Sequence, residues 1–211
     1  MRFLCAEATE RLAYEFPSTL KRWDAVQKTS TLVTEIGPMC NVLALAQAID
    51  TPKLDHIIPA VFYLCCQQND FKKIFGDFES QRGDYTVEDQ KAFILGWDSL
   101  VRKQAEWTFS WLSSRNPHGD NLIIVCSHKD ACNRARQTLQ RELFLPMTKC
   151  QALSPWKSTW ERHMCGNCIS AAQRSHEAGR QRIWDELPTF FGLPGWDKLL
   201  EVDGQTAPVD D

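Results

Sequence analysis

The sequence predicts an all-α protein of irregular multi-helix architecture, and three observations carry that expectation. Two long stretches repeat apolar residues at helical spacing: Phe93, Trp97, Leu100, Val101, Ala105, Thr108, Trp111 and Leu112 in one, and Ile169, Ala172, His176, Gly179, Ile183 and Leu187 in the other. Helix punctuation recurs along the chain, from Pro17-Ser18 through Gly37-Pro38 to the capping-box form Thr86-Val87-Glu88-Asp89. The one β-like run, Leu122-Ile123-Ile124-Val125, has no second strand to pair with and is expected as an extended segment lying on helices.

The elements follow in order. Residues 1–16 read as a helix, with Phe3, Leu4, Ala8, Leu12 and Ala13 on one stripe. No capping residue precedes Met1, so the chain is expected to begin inside a longer element. After Pro17-Ser18, Leu20, Trp23 and Val26 face one way on a short helix. A further helix is expected over about 42–50, and a central one over about 53–68, apolar nearly all round. Pro59 implies that this central helix starts late or kinks. Phe71, Ile74, Phe75 and Phe78 mark another short helical face. The longest helix is expected over 87–112, with Lys103 and Glu106 on its wet side, followed by a loop over 113–120. Asp130 or Ser127 is expected to cap a helix over about 131–144, which Pro146 ends. Ser154-Pro155 should open a short helix carrying Trp156 and Trp160, before a last long helix from Cys165 to Leu187. The expected organisation is a single all-α domain over 1–203, with 1–80 and 81–203 as its two parts and 204–211 a disordered acidic tail.

Composition bounds the function. The net charge of −3 gives no global basic field for nucleic acid or an anionic membrane. The longest apolar run, 57–66, contains Pro59 and is too short to span a bilayer. Glu7 and Glu10 interrupt the N-terminus before a signal-peptide core can form. The expectation is an intracellular protein, of cytoplasm or nucleus. Nine cysteines without a signal peptide argue against a disulfide framework. Cys5, Cys40, Cys65, Cys66 and Cys150 lie in or beside helical apolar patterns and read as small core residues.

The other four are spaced pairs. Cys126 and Cys132 form a C-x5-C; Cys165 and Cys168 form a C-x2-C opening the last helix. A two-residue gap lets both thiolates of one turn face a common point, and Gly166 permits that turn. Helix N-termini, expected at Cys132 and Cys168, favour thiolates through their unpaired N–H groups. Cys126, Cys132, Cys165 and Cys168 are therefore the candidate ligands of one structural zinc ion, with His128 or His163 as the alternate for one of them. The x5 gap is wider than the usual zinc spacing. Competing readings are four ordinary core or surface cysteines, a thioredoxin-like redox pair, and a Cys126/His128 nucleophile. The redox motif expects a neighbouring βαβ unit, and the nucleophile lacks an orienting acid and an oxyanion hole. His176 is expected to face the core.

Other chemistry is thin. Adjacent acids such as Glu88-Asp89 and Asp185-Glu186 do not face each other on a helix, so neither reads as an acid–base dyad. Phosphate-loop, serine-hydrolase and zinc-protease motifs are lacking. Lys129, Arg134, Arg136, Arg141, Arg174, Arg180 and Arg182 make two basic helices, diluted by Glu142, Glu177, Asp185 and Glu186. Zinc-dependent nucleic-acid binding is therefore the alternative rather than the leading function. Helical spacing makes the eight tryptophans core residues first and a binding surface second.

Three segments carry a family resemblance. Residues 11–24, Arg-Leu-Ala-Tyr-Glu-Phe-Pro-Ser-Thr-Leu-Lys-Arg-Trp-Asp, resemble the segment closing the BTB/POZ domain in a large family of fungal, basidiomycete-type BTB proteins. Residues 41–66, with Ala48-Ile49-Asp50-Thr51-Pro52 and the run from Ile58 to Cys66, are similar to the helical region that follows that domain. Residues 184–196, Trp-Asp-Glu-Leu-Pro-Thr-Phe-Phe-Gly-Leu-Pro-Gly-Trp, resemble that family's C-terminal ending. Its paired cysteines fall where Cys126, Cys132, Cys165 and Cys168 stand here. The BTB core itself is expected ahead of Met1, so its dimerisation and ligase recruitment do not carry over. What the resemblance implies is a non-catalytic adaptor that binds other proteins.

Overall fold

A computed structural model of the chain describes residues 2–29, 52–68, 86–113, 126–146 and 148–202. Every regular element among them is helical. The α-helices are α1 (Arg2–Glu15), α2 (Leu20–Thr29), α3 (Ile58–Gln68), α4 (Val87–Glu106), α5 (Lys129–Phe144), α6 (Gly166–Phe190) and α7 (Trp196–Val202). Short 3-10 turns occupy Pro52–Ile57, Ser110–Leu112 and Ser158–Glu161. The expected helices over 42–50 and 71–78, the extended run 122–125, Cys40 and the tail 204–211 lie outside the described residues. No helix among the described residues is long and apolar enough to cross a membrane.

The chain divides into two compact units, Met1–Trp97 with Asp185–Asp211, and Asp98–Trp184. In the first, Leu20, Trp23 and Val26 of α2 are all buried, as their spacing dictates. Pro59 is the second residue of α3, where the missing N–H costs no helical bond, and the turn Pro52–Ile57 supplies the late start. From Ala60 to Cys66 every α3 side chain is buried. Tyr63 meets Trp23 edge-on at 5.9 Å, and Phe62 stacks on Phe191 at 4.9 Å. Gly96 on α4 lies against that Phe191 ring, closer than any side chain would allow. Thr86 and Asp89 form a reciprocal cap: the Asp89 N–H donates to Thr86 Oγ1 at 3.1 Å, and the Thr86 N–H donates to Asp89 Oδ2 at 3.2 Å. Such a cap contributes about 1 kcal/mol.

The second unit departs from sequence periodicity in an instructive way. α4 ends at Glu106, not at residue 112, and α6 with 25 residues is longer than α4 with 20. Beyond Glu106 the chain is claimed by other contacts. The hydroxyl of Thr108 donates to the Ala152 carbonyl at 2.7 Å, and the Phe109 N–H reaches back to Gln104 O at 2.8 Å. The backbone of Trp107 and Thr108 presses on Gly179 of α6 so closely that a β-carbon there would sit 2.3 Å from the Trp107 oxygen. The α4 stripe shifts with it. Ala105 is exposed, while Gln104 is buried and spans to Lys149 O at 2.9 Å and to the Gln151 N–H at 2.7 Å.

His176 stands at the centre of this unit, fully buried as expected. The rings of Phe109, Trp111, Trp156 and Trp160 surround it at 5.2–6.5 Å. Its Nδ1 lies 3.0 Å from Thr108 O and its Nε2 2.9 Å from Ser154 O. Burial pulls its pKa below the ordinary histidine value, against those two carbonyls, which favour the doubly protonated ring. The ring thus ties the residues just after α4 and the 148–157 segment to α6.

The expected caps of the middle helix are corrected. α5 starts at Lys129, two residues before the expected Ala131, and its N-cap is His128, with no side-chain cap bond. Asp130 sits instead in the first turn, where its charge favours the positive end of the helix dipole. Trp156 and Trp160 pack on each other at 5.5 Å, but only Ser158–Glu161 is a 3-10 turn and Ser154 opens no helix.

Candidate metal centre

The last helix builds one half of the site. Cys165 immediately precedes α6, and Cys168 is its third residue. Here the opening N–H groups of the helix lack helical partners. Cys165 uses one: its sulfur accepts from the Cys168 backbone N–H, and this bond lowers its pKa to about 6, against a smaller opposing effect of burial. The helix start alone makes the C-x2-C geometry. Gly166 is helical with open space where a β-carbon would point, so the expected conformational need for glycine there does not arise.

α5 builds the other half. Cys132 is its fourth residue, its N–H bonded to His128 O at 3.0 Å, and Cys126 lies three residues ahead of the helix. The x5 spacing therefore runs from an irregular residue through a turn into the first helical turn, and both sulfurs reach the same cluster. The halves touch directly. The Cys165 N–H donates to the Cys132 sulfur at 3.3 Å, and the sulfurs of Cys126 and Cys165 are 3.9 Å apart.

All four sulfurs lie within 4.8 Å of one another. A tetrahedral ion with metal–sulfur bonds near 2.3 Å sets its ligands about 3.8 Å apart, so small side-chain adjustments bring the quartet onto one ion. Cys132 and Cys168 are buried; Cys126 and Cys165 are half-buried. The group holds four cysteines and neither candidate histidine. His128 is exposed and bonds Ser127 Oγ at 2.9 Å rather than Cys126. His163 is exposed, in a left-handed backbone conformation with φ 63°.

The electrostatics of the quartet would favour a cation over four free thiolates. Burial raises the pKa of Cys132. Burial, and then the sulfurs of Cys126, Cys165 and Cys132, raise that of Cys168 further. Once Cys165 is ionised, each further thiolate meets a like charge about 4 Å away, which costs on the order of 4 kcal/mol at an effective dielectric of 20. A divalent ion at the centre would outweigh that repulsion, because each thiolate would lie closer to two positive charges than to any other sulfur.

The Cys165 shift has a direct consequence. At pH 7 a thiol with a pKa of about 6 is roughly nine-tenths thiolate, whereas an ordinary one near 8.5 is only a few per cent ionised. Cys150, whose pKa burial raises to about 12, is essentially all thiol. Cys165 would therefore meet an incoming cation already ionised, whereas the buried Cys168 would have to surrender its proton on binding.

The other sequence candidates scatter. Of the seven basic residues on the two helices, Arg136 and Arg180 are buried. Arg136 bonds Asn133 Oδ1, while Arg180 bonds Leu153 O at 3.2 Å and Glu177 at 2.7 Å. Arg182 lies 3.9 Å over the Trp107 ring. Lys129, Arg134, Arg141 and Arg174 are exposed. Asp89 is occupied in the α4 cap rather than in an acid–base pair. Cys65, Cys66 and Cys150 are buried as small core residues.

Comparison with known proteins leaves the site to speak for itself: no protein-family model, no curated protein and no solved structure matches this chain.

Proposed function

We propose that this chain is a non-catalytic, intracellular protein-interaction module, stapled by a structural zinc ion on Cys126, Cys132, Cys165 and Cys168. The observation that carries the metal is the convergence of four sulfurs within 4.8 Å from two half-sites more than thirty residues apart. Four cysteine ligands suit zinc, and they also saturate it. No coordination position remains for a water or a substrate, which is the mark of a structural rather than a catalytic ion. The adaptor role rests on the likeness of residues 11–24, 41–66 and 184–196 to the region that follows a fungal BTB/POZ domain.

The nucleic-acid alternative is weakened by burial. Arg136 and Arg180 do not reach solvent, and the Arg182 guanidinium is stacked on a ring. One preparation tests both ideas. Elemental analysis of protein purified without added metal should give one zinc per chain, and a labelled duplex or single-stranded oligonucleotide should not bind it at low salt. Sub-stoichiometric zinc with a reversible disulfide among the four cysteines would replace the staple with redox chemistry. Oligonucleotide binding with a steep salt slope would overturn the adaptor reading.

A further inference from the structure

A groove of about 630 Å³ lies beside the cysteine quartet, between the outer face of α5 and the turn that leads into Met164-Cys165. Its large apolar side chains are Leu139, Leu143 and Trp160. These side chains also belong to the aromatic core of Asp98–Trp184, so the floor is anchored rather than loose. Its volume falls in the range of about 300–1,000 Å³ typical of sites that enclose a small ligand or a few side chains.

The charge on its walls is predominantly positive. Arg134 comes from α5, and Arg162 and His163 come from the turn. Both guanidinium groups are exposed, and neither makes an ion pair or hydrogen bond with another described residue. Arg11, Arg102 and Arg180, by contrast, are engaged with Glu15, Asp98 and Glu177. Lys157 adds a cation 5.5 Å from the Trp160 ring centre. The one acid in the lining is Glu142, eight residues and about 12 Å along the helix from Arg134.

We infer that this groove is a docking site for an acidic amphipathic segment of a partner protein, its apolar side chains on Leu139, Leu143 and Trp160 and its carboxylates on Arg134 and Arg162. Arginine suits this task because its planar fork meets a carboxylate through two parallel hydrogen bonds. Charge complementarity selects the sign of the occupant, and the apolar floor selects a peptide over a phosphate backbone, which asks for a continuous cationic track. Glu142 repels the acidic end and so favours one direction of binding. The inference rests on the interaction-module reading. It adds where the partner sits and what chemistry it carries.

The test uses the full zinc-loaded chain as bait for a displayed library of random twelve-residue peptides. The expected winners combine Asp or Glu with Leu, Phe or Trp. Their synthetic copies should lose at least about tenfold in affinity against Arg134→Glu or Arg162→Glu. Copies with Lys in place of Asp and Glu should recover binding to the doubly reversed chain. Because neither arginine has a partner among the described residues, zinc content and circular dichroism of these variants should match the parent. Peptides that bind equally well to both variants would overturn the groove and leave the interaction module standing. No enriched peptide, with instead a single-stranded oligonucleotide bound through Arg134, would overturn both.

Discussion

Stripping the metal from the zinc-loaded protein is expected to unfold Asp98–Trp184 cooperatively, with loss of the helical signal of α5 and of the part of α6 that belongs to this unit. The magnitude decides the matter. Structural zinc contributes an apparent 10–16 kcal/mol or so to folding at neutral pH. A whole domain has a net stability of only about 5–15 kcal/mol. The four sulfurs also become a liability without the ion, since Cys132 and Cys168 are buried beside the Cys165 thiolate. Cys168→Ser should therefore approach the effect of full chelation, removing a buried ligand from the first turn of α6. Circular dichroism at 222 nm, followed during titration with a strong chelator, reads the loss directly. An unchanged spectrum after complete zinc removal would sink the structural role. Because zinc requires deprotonated sulfurs, its affinity should also weaken as the pH falls, with metal release at acidic pH.

Gly179→Ala should destabilise the second unit by about 2 kcal/mol or more, although helix propensity alone argues the opposite sign. In an exposed helix interior, replacing glycine by alanine gains about 1 kcal/mol. At Gly179 the new methyl would lie 2.3 Å from the Trp107 oxygen, 2.4 Å from its carbonyl carbon and 2.6 Å from the Thr108 α-carbon. Those atoms are backbone, and they are held by the Thr108 and His176 hydrogen bonds, so they cannot give cheaply. Overpacking of this kind costs about 1–3 kcal/mol, sometimes more, and a backbone clash belongs at the upper end. Gly166→Ala is the control on the same helix. Its β-carbon meets nothing within 4 Å, so it should be neutral or gain up to about 1 kcal/mol. Urea unfolding midpoints of the two variants distinguish packing from propensity. A stabilised Gly179→Ala would mean that the close approach of α6 to residues 107–108 is not as described.

How much of this was legible beforehand depends on the range of the physical cause. Local causes read well. Leu20, Trp23 and Val26 announced one buried face, and the Thr86–Asp89 box announced its own helix start, because the partners sit within one turn of each other. The pairing of Cys126 and Cys132 with Cys165 and Cys168 was also legible, since metal ligation restricts which residue types and spacings make sense together. The caps of α5 were not. Ser127 and Asp130 both have capping side chains, yet His128 takes the position, and residue type alone does not rank neighbours one apart. The groove along α5 was equally hidden. Arg134 read as one of seven basic helix residues, and nothing local distinguishes it from Arg136, which is buried two residues later.

The amino-acid order alone determined that this protein is helical, where most of its helices begin, and which four sulfurs belong together. The first two follow from hydrophobic period and turn chemistry, which act within a few residues, and the third from the ligand number of a metal site, which two closely spaced cysteine pairs together supply. Only the tertiary structure decided that α4 stops at Glu106, that Gln104 rather than Ala105 faces inward, and that Gly179 must stay small. Those outcomes depend on atoms more than forty residues away, namely the carbonyls of Lys149 and Ala152 and the ring of His176. A contact at that separation leaves no periodic trace in the chain, so it becomes visible only when the packed helices bring the groups together.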